Sequence, residues 1–313
     1  MRPDITADER QGDDSSAPPA KPRRRYLAHP RTLARSALFT ARRLSRKARP
    51  DAPALVTWPV GALLALLLVS LPFLFAIDEA VGRAMLAEPE GVLSFLRYAT
   101  DAGLIRWYLY PTLAILLGLW MVEWHELPRS RRLRGASFAF HAGYLLAAVS
   151  IAQIVVQVLK RAFGRARPPL LDEYGSLSFS FARLGDHFAS FPSGHSSTMA
   201  AVTAVAMVWM PALRLPILIV GVSLALTRIV VRAHYPSDVA AGLAIGFATA
   251  VVLGRWLAQR GLGYEFRHGG RGLAGLLPVR AGSSAIARSP RPPTRVPDRA
   301  AGLPGPQAPP GAG

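Results

Sequence analysis

The 313-residue sequence contains no cysteine, so neither a disulfide nor a thiolate-bound metal contributes to this protein. It contains no asparagine either, which leaves no N-glycosylation sequon. Lysine is scarce: of 37 basic residues only Lys21, Lys47 and Lys160 are not arginine. Acidic residues number 19, giving a net charge of +18. This Arg-heavy, Asn-free composition suits a GC-rich bacterial genome, and a bacterial inner membrane is the expected setting.

Apolar residues, by contrast, make up 51% of the chain and mean hydropathy is positive. A chain of this size reaches that only by stringing them into membrane-length runs. The positive charge sits outside those runs. Eleven Lys or Arg fall between Lys21 and Arg49 with no acid among them, and eight Arg follow from Arg260 onward. Basic stretches flanking an apolar body are a topology signal. No nucleic-acid recognition motif accompanies them, so nucleic acid is not an expected partner.

Six spans are predicted, at about 54 to 77, 104 to 122, 135 to 159, 194 to 213, 214 to 232 and 237 to 258. The expected fold is thus all-α: a six-helix membrane bundle over residues 54–260. The first run begins too far into the chain for a cleaved signal peptide and reads as a retained signal anchor. Residues 1–50 and 261–313 are rich in Pro, Gly, Ser and Arg and are expected to be disordered basic tails. Within the first tail, residues 31–49 carry Leu33, Ala37, Ala41, Leu44 and Ala48 at helical spacing. An interfacial helix on anionic lipid and a solvated topology signal both fit that segment.

An even span count places both basic termini on the cytoplasmic side, with the loop carrying Arg129, Arg131, Arg132 and Arg134. The loop from Asp78 to Gly103 then faces outward. It carries Asp78, Glu79, Glu88, Glu90 and Asp101 against Arg83 and Arg97.

Ionisable residues at span ends are costly and mark function. Three clusters qualify. Lys160 and Arg167-Pro168 are spaced K-x6-R-P where the third span ends. A lysine in a sequence that otherwise uses arginine suggests that a compact ammonium is wanted there. Arg161 and Arg165, between them, read as snorkelling cations. Pro192-Ser193-Gly194-His195 opens the fourth span, where a helix N-terminus and a hydroxyl form an anion cradle beside an imidazole. Arg228, His234 and Asp238 are spaced R-x5-H-x3-D across the turn between the last two spans, so Asp238 can reach back to His234 from the first turn of the next helix. By parity all three clusters emerge on one outward face.

In this order the three motifs resemble those of the type 2 phosphatidic acid phosphatase superfamily over roughly residues 55 to 258, with Thr227 where that family usually has Ser. The resemblance implies a lipid phosphate substrate, an outward-facing site, a phosphohistidine intermediate, and neither a divalent metal nor a cofactor. On chemical grounds, Lys160, Arg167 and Arg228 neutralise the equatorial oxygens together with Ser193 and the N–H groups near Gly194. His234 attacks, Asp238 holds its far nitrogen, and His195 protonates the leaving alkoxide and then activates water. Vanadium haloperoxidases share the constellation, but the spans favour a membrane-borne substrate. The competing class is a lipid transporter or flippase, for which Arg106, His141, Gln153 and Gln157 would line the path. Undecaprenyl diphosphate, phosphatidic acid, phosphatidylglycerol phosphate and the phosphates of lipid A all suit an outward site.

Overall fold

A computed structural model describes residues 52–87, 98–182 and 185–266, the backbone of 276–278, and positions 38, 41, 42, 44–48 and 96. Six longer helices are found among them: α1 (Trp58–Ala87), α2 (Arg106–Trp120), α3 (Arg129–Phe163), α4 (Gly194–Trp209), α5 (Arg214–Val230) and α6 (Pro236–Gln259). Each has a local reason to begin or end where it does. Gly164, in the left-handed region at φ 55°, closes α3 by donating its N–H to the Lys160 carbonyl. Ser193 caps α4, its hydroxyl accepting from the Ser196 N–H at 3.3 Å. Pro236 opens α6 at the position where a missing N–H costs nothing.

Among the described residues, four helices are long and apolar enough to cross a membrane: α1, α3, α5 together with the 3-10 turn Pro211–Leu213 before it, and α6. At 1.5 Å per residue, α2 and α4 span about 22 and 24 Å, short of the roughly 30 Å hydrocarbon layer. Leu66, Val69 and Phe73 of α1, Ile154 and Val158 of α3, and Leu215 and Ile219 of α5 lie exposed on the outside, as expected where lipid is the solvent. The protein is a mostly helical, multi-pass membrane protein.

Helix α4 sits at the centre, packed by α3, α5 and α6. Its small side chains permit this. A Cβ on Gly246 would collide with the Ser197 carbonyl oxygen of α4, and one on Gly242 with the Ser193 carbonyl oxygen. The G-x-x-x-G pair therefore sets the α4–α6 distance. Gly246→Ala should destabilise the detergent-solubilised protein by about 1–3 kcal/mol, read as a lowered melting temperature. Below this seam Tyr144, Ala148, Ala204, Val205, Val208 and Ala250 form the main apolar core, and the Tyr144 hydroxyl donates to the Ala250 carbonyl at 2.8 Å.

Several sequence expectations are corrected. Asp78 does not open a loop: α1 continues ten residues past the expected end of the first span at 77, because Asp78 finds charged and polar partners inside the protein. Arg129, Arg131, Arg132 and Arg134 occupy the first turns of α3 rather than a loop. The C-terminal tail, expected to lack structure from 261, instead begins with an antiparallel pair, Tyr264–Phe266 with Leu276–Pro278. The cause is Tyr264, which is buried against Tyr144 and His141 and whose oxygen accepts from Trp209 Nε1. The rest of that tail, residues 1–37, and Glu88, Glu90 and Arg97 of the acidic loop lie outside the described residues. Of the possible interfacial helix 31–49, only 38, 41, 42 and 44–48 are described; Leu38, Ala41, Arg42 and Leu44 are helical and exposed.

Candidate active site

The three clusters meet at one end of the bundle. Lys160 stands on the last turn of α3, and Arg167 on the segment after it. Ser193, Gly194 and His195 form the start of α4, Arg228 lies in the last turn of α5, His234 in the turn that follows, and Asp238 in the first turn of α6. Two backbone links lock them in register. Ser193 N–H donates to the Asp238 carbonyl at 2.9 Å, tying the start of α4 to that of α6. The Arg228 carbonyl accepts from both Ala233 and His234 N–H groups, which curls the turn so that His234 points back into the protein.

His234 is almost wholly buried, and its Nδ1 lies 3.5 Å from Asp238 Oδ2. That is longer than a good hydrogen bond. Burial pushes the His234 imidazole down to about 3, the Asp238 hydrogen bond and charge acting against the fall and the Lys160 and Arg167 charges adding to it. At neutral pH the ring is therefore uncharged. With Nδ1 directed at the carboxylate, Nε2 holds the free lone pair.

Around it stand Lys160, Arg167 and Arg228, close enough to sense one another's charge. Lys160 Nζ donates to the Ala189 carbonyl at 2.8 Å, and Arg228 to Thr100 Oγ1 at 3.1 Å. Asp186 faces Arg167 and Lys160, and Asp101 faces Arg228, yet neither Asp186 nor Asp101 is within ion-pair distance of these cations among the described residues. Burial pushes the Arg167 guanidinium down, with Asp186 opposing. Three cations without contact ion pairs among the described residues, gathered near the N-terminus of α4, are an arrangement suited to an anion. His195 faces the same cations, with its Cβ packed against Gly103.

Some residues fit differently from their sequence reading. The Ser193 hydroxyl is buried and accepts from the Ser196 N–H and, at 2.8 Å, from the Ser196 hydroxyl, so capping α4 is its visible work. Thr227 turns its hydroxyl back to the Leu224 carbonyl at 2.7 Å, away from the anion site. The four residues of the transporter reading have separate surroundings. Gln153 is spent on the Gly194 carbonyl and Thr198, Gln157 is exposed on the outside, and His141 pairs with the Ser137 carbonyl. Arg106, by contrast, lies near His195 at the rim of the site.

Sequence reasoning missed Arg165. It does not snorkel: it is fully buried and bonded to both Asp78 and Asp238 at 2.7 Å. Ser190 and Ser237 were missed as well, and their hydroxyls donate to Asp238 and Asp78 respectively. Arg161, read the same way as Arg165, is exposed as expected.

Fold and site together define a membrane enzyme with three cations and two histidines gathered at one end of its helix bundle. The PAP2 superfamily profile matches residues 141–262, which hold all three clusters. Lipid A 1-phosphatase of Rhizobium johnstonii is 36% identical over 186 residues, covering 57% of this chain and 74% of that protein. Decaprenylphosphoryl-5-phosphoribose phosphatase of Mycobacterium tuberculosis is 29% identical over 183 residues, covering 57% and 87%. The crystal structure of a transmembrane PAP2-type phosphatidylglycerolphosphate phosphatase from Bacillus subtilis superposes with a TM-score of 0.45 at 19% identity, over 63% of this chain and 94% of that one. This chain belongs to the PAP2 superfamily. It is a phosphatase of that family.

Proposed function

We propose that this protein hydrolyses a phosphomonoester or diphosphate of a membrane lipid through a phosphohistidine on His234, without a metal. The observation that carries this is the burial of a neutral His234, backed by Asp238 and faced by Lys160, Arg167 and Arg228. His234 Nε2 attacks phosphorus as the bond to the lipid oxygen breaks. His195, whose charged form the bound phosphate favours, gives that oxygen its proton. A water then attacks the phosphohistidine, passing a proton to His195, and the P–N bond breaks to release inorganic phosphate. The cations, with Gly194 N–H and Ser193, offset charge on the equatorial oxygens, the work a metal does elsewhere.

In this reading α2 and α4 complete six crossings, the termini are cytoplasmic, and the site opens on the outer face of a bacterial inner membrane. The basic tails lie against anionic lipid. Among candidate substrates, lipid A 1-phosphate stands first because the 36% identical relative is named for it.

The test is phosphate release in detergent with EDTA from lipid A, phosphatidic acid, phosphatidylglycerol phosphate and undecaprenyl diphosphate. Activity should persist in EDTA and favour lipid A; loss of activity on chelation would overturn the metal-free mechanism. A second expectation concerns pH. Since His234 stays neutral to about 3, phosphoenzyme formation in rapid-quench experiments should not slow as pH falls through the ordinary imidazole range near 6.5. A rate that halves there would contradict a buried neutral nucleophile.

A further inference from the structure

Arg165 lies between the two cations of the first cluster, yet it faces away from the anion site and into the protein. All five of its N–H donors are used. Nε donates to the Ser176 carbonyl at 3.0 Å, and NH1 to Ser237 Oγ at 2.6 Å and Asp238 Oδ1 at 2.7 Å. NH2 donates to Asp78 Oδ2 and to the Ser176 carbonyl, each at 2.7 Å. The rings of Phe75, Phe179 and Tyr235 surround the guanidinium at 5.1, 5.4 and 4.4 Å from their centroids, which fixes its plane and keeps water out. Arg165, Asp78 and Asp238 are each 0% exposed.

Burying three charges is a poor way to gain stability, because desolvation offsets most of the attraction. The position of the triad says what it does instead. Asp238 uses one oxygen for Arg165 and the other for Ser190 Oγ, Tyr235 N–H and the approach to His234 Nδ1. The Arg165 bond thus determines which edge of the carboxylate is turned toward the imidazole. Asp78, coming from α1, also takes the Ser237 N–H at 3.1 Å in the first turn of α6, so it fixes the helix that carries Asp238. Its charge matters equally. With Asp238 alone, Arg165 would cancel the carboxylate that the histidine cation needs. A second carboxylate takes up that positive charge and leaves the group with a net negative charge beside His234.

We infer that Arg165 and Asp78 are positioning residues for the phosphoryl-transfer step: Arg165 aims the Asp238 carboxylate at His234, and Asp78 compensates Arg165 so that Asp238 keeps its charge for the imidazole. The Ser176 carbonyl and Phe179 attach the loop that crosses near the site to the same guanidinium, so loop placement and nucleophile orientation share one anchor. The inference rests on the proposed roles of His234 and Asp238.

The experiment is steady-state kinetics with inhibition by inorganic phosphate, run on wild type, His234→Ala, Arg165→Lys, Arg165→Met and the double variant Asp78→Asn/Arg165→Met. Inhibition by phosphate reports the Lys160, Arg167 and Arg228 cluster, which these changes leave alone. Arg165→Lys keeps the charge and loses the fork. It should lower kcat about 10- to 100-fold, the usual loss for a group that orients an active-site ligand, with the phosphate inhibition constant within about twofold of wild type. Arg165→Met leaves two buried carboxylates without a cation and should be the worse single change. The double variant removes that imbalance and should exceed it in kcat and in folded yield. If Arg165→Met does not fold, Arg165→Lys and the double variant still decide the matter. Wild-type kcat in Arg165→Lys, or kcat and phosphate affinity falling together with the folded fraction, would overturn the inference. Activity in His234→Ala would instead overturn the reading beneath it.

Discussion

Replacing His234 by alanine is expected to reduce turnover of a lipid phosphate by about 10^4-fold or more, the scale of removing a nucleophile. Neither Lys160 nor Asp238 can substitute. Lys160 is committed to the Ala189 carbonyl and Asp238 is enclosed by Arg165, Ser190 and the Tyr235 N–H. The change should leave the anion site standing, since Lys160, Arg167 and Arg228 are held by other elements. Phosphate should therefore still bind to the inactive variant, as measured by protection against thermal unfolding. Residual turnover within about tenfold of wild type would exclude His234 as the attacking group.

The second large effect separates the two histidines. His195→Ala should lower lipid phosphate hydrolysis by about 10^2- to 10^4-fold, because the alkoxide loses its proton donor. An aryl phosphate, whose leaving group departs without a proton, should react quite differently. Its first step should be nearly spared while the second, in which His195 activates water, remains slow. The variant should then release about one equivalent of phenolate per enzyme in a burst, followed by slow turnover. Equal losses on alkyl and aryl substrates, with no burst, would show that His195 does not carry the proton.

How much of this was legible in the sequence depends on which residues could announce themselves. Lys160, Arg167, Arg228, His195, His234 and Asp238 sit at span ends, where a charged group stands out against an apolar run, and the structure brings all of them to one end of the bundle. The split between α4 and α5 at Pro211 was also readable, since the proline punctuates an otherwise continuous apolar stretch. Arg165 and Asp78 were not. Both resemble ordinary charges at the edge of a span, and only tertiary structure shows that, although 87 residues apart, they are in contact. Nothing local distinguishes Arg165, which is buried, from Arg161, which is exposed. Helix ends failed for a related reason: hydropathy marks where lipid stops, whereas α1 and α3 continue as helices beyond it, α1 because its polar side chains find partners inside the protein.

The Tyr264–Phe266 strand shows the complementary error. A segment rich in glycine and arginine reads as disordered by composition, but a single aromatic side chain docking against Tyr144, His141 and Trp209 orders it. Composition averages over the residue that decides the outcome.

The central claim is covalent catalysis at His234, and trapping the intermediate addresses it most directly. Enzyme labelled with a radioactive lipid phosphate in EDTA, quenched within one turnover and mapped by peptide, should carry a phosphoryl group that is stable in alkali, labile in acid and confined to the peptide containing His234. His195→Ala, labelled with a radioactive aryl phosphate instead, should accumulate it, and His234→Ala should show none with either substrate. Label on another residue, or none in His195→Ala while the aryl phosphate is still hydrolysed, would contradict the mechanism.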